Sequence, residues 1–335
     1  MSPGADWRPS ASAQLLRQRA ALLARARQFF AQRAVLEVDT PLLVNAPVSD
    51  VHIHSAAVRL GFDPAAARST GPTLFLHTSP EYAMKRLLAA GSGDIYQICH
   101  VVRGNEHGRL HNPEFTLIEW YRVGCSLEQL MEEVEALVRE LLGAAAPVAN
   151  ERISYQAAFL RQLNLDPFTA TDAALAEAAR PLALVGAGIH SGGPEALSRD
   201  EWLELLMGGL IGPRLGRGAL TFLHGYPASQ AALARLDPAD PRTAERFELY
   251  CEGIELANGF QELTSASEQR ARFEADNVRR RRLGLPAFPP DERLLAALPA
   301  VPQCAGVALG FDRTLMLAAG AAHIEEVLPF PTARA

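Results

Sequence analysis

The sequence predicts an α+β fold, and three stretches predict it. Residues 103–122 (RGNEHGRLHNPEFTLIEWYR) pass from a charged, glycine-containing turn into a run of aromatic and β-branched residues, which reads as strand, turn, strand. Residues 13–32 and 127–142 have helix-forming composition with apolar residues at helical spacing. Residues 306–313 (GVALGFDR) read as a Gly-rich strand end running into a helix at 314–317.

Along the second half of the first stretch, Phe115, Leu117, Glu119 and Tyr121 share one face, because strand side chains alternate with period two. An aromatic ring, a carboxylate and a phenol on one strand face make the wall of a pocket. The arginines and amides of the preceding turn suit an anion held in fixed geometry. The combination predicts a nucleotide bound beside an amine.

Composition bounds the class. The chain has 335 residues, 48% of them hydrophobic and 21% charged, with a net charge of −6. That is enough for a large core and argues against a dedicated nucleic-acid binder, which carries a basic excess or stripe. The dense basic run, residues 279–282, falls in a polar helical pattern and reads as a solvated helix face. Cys99, Cys125, Cys251 and Cys304 are far apart with no CxxC, which predicts reduced thiols rather than a disulfide framework or a zinc site. No apolar run reaches membrane-spanning length and the N-terminus has no signal-peptide core, so a cytoplasmic protein with no membrane partner is expected.

In chain order, residues 1–12 are rich in Pro, Ser and Gly and are expected to be a flexible N-terminus. After the first helix, residues 36–43 (LEVDTPLL) alternate up to a proline and predict a strand whose pairing stops at Pro41. His52 and His54 have HxH spacing but read as polar strand or loop residues, since nothing fixes a converging ligand set. Residues 74–78 predict a strand that leads to Ser79, Pro80 and Glu81 at the start of a helix, where a proline and an acid suit the first turn. Residues 153–241 mix short helices with Gly/Pro loops, with a strand at 219–224 followed by the segment 227–230. Residues 244–264 have strand composition and set Glu248, Glu252, Glu255 and Glu262 in an apolar context. Paired carboxylates beside a triphosphate suit Mg²⁺. Glu255 and Glu262 are an odd number of positions apart, so an unbroken strand would send them to opposite faces; Asn258-Gly259 is the expected bulge that re-aims the second half.

The stretch with RGNEHGRLHNPEFTLIEWYR resembles motif 2 of the class II aminoacyl-tRNA synthetases, in their lysyl branch. The helix, strand and proline of residues 13–41 resemble motif 1, and residues 306–313 resemble motif 3, in the same order. The chain from about Ser10 onward is similar to the short paralogues of that branch, which ligate (R)-β-lysine to elongation factor P. The resemblance implies an antiparallel sheet flanked by helices, one catalytic domain over residues 13–335 with a helical insertion at 153–241, and a homodimer formed through motif 1. Only about a dozen residues precede motif 1, so no anticodon-binding domain is expected and tRNA is an unlikely partner.

Residue by residue, the resemblance implies the following roles. Arg103 holds the α-phosphate and the acyl oxygen, and Arg313 the γ-phosphate of a bent ATP; these two are the catalytic residues. Asn112 and Phe115 contact ATP, with the ring on adenine, and His111 lies near the outer phosphates. The synthetase pattern R-N-E reads here as Arg103, Gly104, Asn105, Glu106, which leaves open whether Asn105 or Glu106 reads adenine. Glu255 and Leu256 match ATP positions, Glu255 and Glu262 the metal positions, and Gly310 a glycine close to the nucleotide. Ser79, Pro80 and Glu81 contact the substrate amino group; Asn258 and Phe260 line its pocket, and Glu119 with Tyr121 and Glu262 meets its side-chain ammonium. Ala308 stands where lysyl synthetases usually carry Gly, so its methyl is expected to favour β-lysine over α-lysine.

The expected reaction is activation of (R)-β-lysine by ATP and Mg²⁺ to an acyl-adenylate, then transfer to a lysine ε-amine of elongation factor P. The rivals are a truncated lysyl-tRNA synthetase-like enzyme, a ligase for a small amine, and a non-catalytic paralogue that senses an amino acid. Retention of Arg103, Glu255, Glu262 and Arg313 argues against the last.

Overall fold

A computed structural model describes residues 7–63, 68–69, 71–182 and 197–335. The chain falls into two units, residues 1–146 with 262–335, and residues 147–261. Of the segment expected to be loose, residues 1–6 lie outside the described residues. The rest is tied down: Ser10 N–H donates to Pro329 O at 2.8 Å, and Arg334 donates to Arg8 O and Ser10 Oγ.

The first segment of the first unit opens with helix α1 (Ala13–Ala31), capped by Ser12, whose hydroxyl accepts from Leu15 N–H. Its buried residues Leu22, Ala26, Phe29 and Phe30 form one stripe. Strand β1 (Leu36–Glu37) is much shorter than expected. Val38 N–H still donates to Tyr96 O at 2.8 Å, but residues 39–42 form no strand, and Pro41 has no N–H to continue the ladder. Strand β2 (Leu43–Val44) joins a different, small sheet with β3 (Ala57–Arg59), while β4 (Phe62–Asp63) and β5 (Arg68–Ser69) form a ribbon of their own. β6 (Thr73–Leu76) is the centre of that small sheet, and it leads to helix α2 (Glu81–Ala89).

The expected strand, turn and strand are β7 (Ile95–Val102) and β8 (Glu114–Val123), an antiparallel pair in continuous register. One face carries Tyr96 and Trp120, which pack on Phe30 of α1 with ring centroids 4.2 and 5.3 Å away. The other carries Gln97 opposite Glu119 and Ile95 opposite Tyr121. Helix α3 (Leu127–Leu142) has the predicted bounds; Ser126 and Gln129 form a reciprocal capping box at its start.

The second unit contains β9 (Ala149–Ser154), α4 (Tyr155–Leu163), α5 (Asp172–Ala179), α6 (Arg199–Leu206), β10 (Ala219–Pro227), β11 (Thr243–Cys251) and β12 (Ile254–Gln261). β9 pairs parallel to β10, and β10, β11 and β12 are successive antiparallel neighbours. Tyr155, Phe159, Trp202 and Leu206 of the helices pack with Leu223 and Tyr226 of β10 in one apolar cluster. Residues 244–264 therefore hold a hairpin rather than one strand. Its turn, Glu252-Gly253, has φ of 51° and 73°, the double left-handed conformation that matches strand twist. Glu252 is lost from the strand face and caps Gly218 N–H at 2.9 Å.

The second segment of the first unit begins with α7 (Ala266–Arg282) and α8 (Glu292–Ala297). The arginine run at the end of α7 is not simply a solvated face. Arg280 is 2% exposed, lies over the Phe288 ring at 4.5 Å and donates to Pro286 O and Asp50 O. β13 (Cys304–Gly310) then pairs antiparallel with β8, and α9 (Phe311–Ala319) follows directly. Within this unit the ladder order is β1, β7, β8, β13, antiparallel except at the short β1 edge.

Asp312 closes the assembly. Its carboxylate accepts from Thr116 N–H at 2.6 Å and pairs with Arg19 of α1, while Arg19 donates to Thr116 Oγ1 at 2.6 Å. Helix α1, strand β8 and helix α9 are thus joined at one buried point. Among the described residues no helix is long and apolar enough to cross a membrane.

Candidate active site

The face of β8 that carries Glu119 and Tyr121 is walled by α2 on one side and β13 on another. Glu119 is 2% exposed; Oε1 accepts from the Tyr121 hydroxyl and Oε2 from the Ser79 hydroxyl, each at 2.8 Å. Ser79 Oγ also accepts from Glu81 N–H at 3.0 Å, so one hydroxyl both shapes the start of α2 and orients Glu119. That helix lacks a side-chain cap at Pro80 itself.

One turn along α2 sits Lys85, fully buried, with Nζ 2.7 Å from Glu81 Oε1 and 2.6 Å from Glu262 Oε2. Glu262 N–H donates to Cys304 O at 3.0 Å, which brings its carboxylate beside β13. Gly306 lies opposite Tyr121, and a Cβ there would run into the Tyr121 ring and Glu262 Oε1, so only glycine fits. Ala308 lies opposite Glu119 on the same ladder and puts its methyl on that face.

Two carboxylates, Glu81 and Glu262, thus hold one lysine in a dry setting, and Glu119 is close enough to feel the charge of both acids. Burial, reinforced by Glu81, pushes Glu119 up to about 8. Burial also raises Glu262, to about 7, against the pull of Lys85. Burial opposes the charge on Lys85, but Glu262 and Glu81 outweigh it and hold its pKa above the ordinary value. Tyr121 is raised well above 10 by burial and by Glu119, so it stays a hydrogen-bond donor. The pocket has more carboxylates than its own cation can neutralise, the condition for accepting a ligand cation.

The predicted phosphate side follows the end of β7. Arg103 is about a quarter exposed; Nε donates to Thr78 O at 3.2 Å, its guanidinium lies 5.1 Å from the Phe115 ring centre, and Glu106 is 3.7 Å away. Gly104 N–H donates to His54 O at 2.7 Å, and Asn105 takes a left-handed φ of 67°, so the turn is tightly folded. Arg313, in the first turn of α9 just past Gly310, has Nη2 2.6 Å from His111 Nε2 and donates through Nε to Leu110 O. Burial, then Arg313, lowers the His111 pKa, which leaves a neutral ring whose Nε2 accepts from the guanidinium. Asn112 is engaged differently from the expectation: its amide donates to Glu114 O at 2.6 Å and accepts from Thr332 N–H, bracing the turn with both ends.

Glu255, Leu256, Asn258 and Phe260 belong to the second unit, on β12. Register fixes how they face. Leu249 pairs with Ala257 but Tyr250 with Glu255, so Leu256 is an extra residue in the ladder. The bulge sits there and not at Asn258-Gly259. Its effect is the expected one: it turns Glu255 onto the face of Asn258 and Phe260. Asn258 Oδ1 accepts from Arg246 Nε at 3.3 Å, and Arg246 is itself held by Glu248 at 2.5 Å. The amide nitrogen of Asn258 is thereby turned away from Arg246. Leu256 is buried, and Phe260 packs beside Ala231, Ala234 and Ala244.

The structure therefore brings Ser79, Glu81, Glu119, Tyr121, Glu262 and Ala308 into one pocket wall. It pairs Arg103 with Phe115 and Glu106, and Arg313 with His111. Sequence reasoning missed Lys85 and Gly306. The i, i+4 spacing of Glu81 and Lys85 was the available signal for the first; for the second there was only a glycine inside a strand. Among the described residues no group of three or more His, Cys, Asp or Glu is arranged to hold a metal ion.

Residues 4–334 match the family model for class II tRNA synthetases (D, K and N). A Vibrio cholerae protein is 49% identical over 333 residues, 98% of this chain and 99% of its own length, and is named elongation factor P–(R)-β-lysine ligase. Proteins of the same name from Proteus mirabilis and Erwinia tasmaniensis are 48% and 49% identical, with all of both chains covered.

Proposed function

We propose a reaction from one premise: the chain belongs to the class II tRNA synthetases of the D, K and N group. It activates (R)-β-lysine with ATP, releasing pyrophosphate and holding an acyl-adenylate. It then transfers the acyl group to a lysine ε-amine of elongation factor P, releasing AMP. The observation that carries this reading is the charge of the pocket. Glu81, Glu119 and Glu262 against Lys85 leave two negative charges when all are ionised. A diamino acid whose carboxylate has been converted to an adenylate carries two ammonium groups. The relatives' names supply the particular diamine and the acceptor.

Arg103 and Arg313 stabilise charge on the phosphates as the carboxylate attacks, and His111 holds the Arg313 fork through its neutral Nε2. Ser79 and Glu81 meet one amino group of the substrate; Glu119, Tyr121 and Glu262 meet the other. No covalent nucleophile is needed, because the mixed anhydride is already activated and transfer rests on holding the amine near it. Phe115, Asn105 and Glu106 serve the adenine side, with Asn112 keeping their turn in shape. For Glu255, Leu256 and Asn258, on β12 of the second unit, the family pattern carries the ATP and substrate roles, and the Asn258 amide nitrogen is the atom left to donate.

Magnesium would neutralise phosphate charge and favours carboxylate ligands. By its place in the family pattern Glu255 would be such a ligand. Glu262 fits that part poorly, because its Oε2 already faces an ammonium at 2.6 Å; we keep it as a substrate residue. The partly bare apolar side chains of Leu36 and Leu42, 55% and 43% exposed beside α1, support a homodimer through this segment. A cytoplasmic setting follows from the acceptor, a translation factor.

The deciding experiment is the intact mass of elongation factor P after incubation with the protein, Mg-ATP and (R)-β-lysine, with α-lysine and tRNA(Lys) in parallel. One β-lysyl increment on the protein supports the proposal. Charging of tRNA without protein modification would replace it by the synthetase reading.

A further inference from the structure

One polar side chain on the pocket face has no role in the chemistry above. Gln97 lies on β7 directly opposite Glu119, and Ala308 lies opposite Glu119 from β13. The three residues form one row across three strands, with Glu119 in the middle. Gln97 is 1% exposed, yet its Oε1 has no hydrogen-bond partner and its Nε2 has only the Cys99 thiol near it. Buried side-chain amides are rarely left so. Packing alone would be served better by an apolar residue of the same length.

The neighbours limit what can satisfy this amide. Glu119 already receives one donor on each oxygen, from Tyr121 and Ser79. The next residue on the same face, Cys99, offers a thiol beside the amide, which is a weak partner. That thiol can engage Nε2, which leaves Oε1 an unsatisfied acceptor in the cross-strand row that holds Glu119. An acceptor next to a carboxylate, closed off from water, is a seat for an N–H group of a cation.

We propose that Gln97 is a specificity-determining residue whose Oε1 accepts a hydrogen bond from the ligand's terminal ammonium beside Glu119. This rests on the diamine reading above.

The test is calorimetric binding of two ligands, (R)-β-lysine and (R)-3-aminohexanoic acid, which lacks the terminal amine. Wild type is compared with Gln97→Met, which keeps the length of the side chain, and Gln97→Glu, which keeps an acceptor. Mg-ATP affinity reports that each variant is folded, and Gln97→Leu replaces the Met variant if that one is not. The expected result is a loss of roughly 10- to 100-fold for (R)-β-lysine in Gln97→Met, the value of one hydrogen bond to a charged group. Gln97→Glu should stay within about threefold, and the monoamine should bind wild type and Gln97→Met alike. Equal losses for both ligands would make Gln97 a packing residue and overturn the inference, as would no loss for either. Wild type that binds the diamine but releases no pyrophosphate from ATP refutes the reaction, not the role of Gln97. Wild type that does not bind the diamine refutes both.

Discussion

The two ends of the candidate site in the first unit are built in opposite ways. At the amine end, Lys85, Glu262 and Glu119 are almost wholly buried and hold one another or are held by Ser79 and Tyr121. At the phosphate end, Arg103 remains a quarter exposed and leans on a backbone carbonyl and an aromatic ring, and Arg313 leans on a neutral histidine. The difference fits the ligand proposed for each end. A small dication suits a rigid, desolvated pocket whose carboxylates are held in place in advance. A polyphosphate brings its own charge and needs guanidinium forks that can close on it.

That contrast can be broken hardest at its buried end. Lys85→Met strands Glu81 and Glu262 together without their cation, and unfolding in urea should show a loss of about 3–5 kcal/mol. A loss under about 1 kcal/mol would mean the lysine is not what holds the acids. At the open end, Arg313→Ala should leave the urea midpoint within experimental scatter but lower the rate of pyrophosphate release about 100- to 1000-fold. If stability fell as much as in Lys85→Met, the two ends would not differ in how their charges are held.

pH separates them more gently. Glu119 and Glu262, raised by burial to about 8 and about 7 from an ordinary 4.5, hold protons in the folded empty site that the unfolded chain has released. The empty protein should therefore lose stability as pH rises through that window, the reverse of an ion-paired surface acid. Bound diamine favours the ionised acids, so the rise in Tm that (R)-β-lysine produces should be larger near about pH 8.5 than near about pH 6.5. A constant or shrinking shift would show that the acids are ionised without ligand. The smallest effect is that of Ala308→Gly. The methyl borders Glu119, and its removal should change the β-lysine to α-lysine preference by no more than about tenfold, as measured by competing pyrophosphate-exchange rates.

Much of this was legible in the chain. The hairpin β7–β8 and helix α3 were legible because alternation and capping signals are local. So was the sharing of one face by Glu119 and Tyr121. What escaped depended on partners far away in sequence. A lysine between Tyr82 and Leu88 reads as a solvated helix residue until Glu262 is brought to it. Arg280 reads the same way until Phe288 and Asp50 fold around it. The odd spacing of Glu255 and Glu262 required a bulge somewhere, but a glycine is only one place for it; the register put the extra residue at Leu256, inside an apolar run with no turn signal. The strand expected at 36–43 failed for the converse reason, since alternation cannot say where a neighbouring strand ends.

The β8–β13 pairing has a consequence in time. Val123 pairs with Cys304, so roughly 180 residues must be synthesised after β8 before its neighbour exists. At about 5–20 residues per second that is on the order of 10–40 s. Through that interval Glu119 and Tyr121 lack the wall at Gly306, Lys85 waits most of it for Glu262, and Thr116 N–H lacks the Asp312 carboxylate that ties it to α1. The first half of the chain must leave the ribosome with the inner wall of its own pocket open. Residues 304–313 then complete the ladder beside β8 and bring Arg313 to His111 in one step.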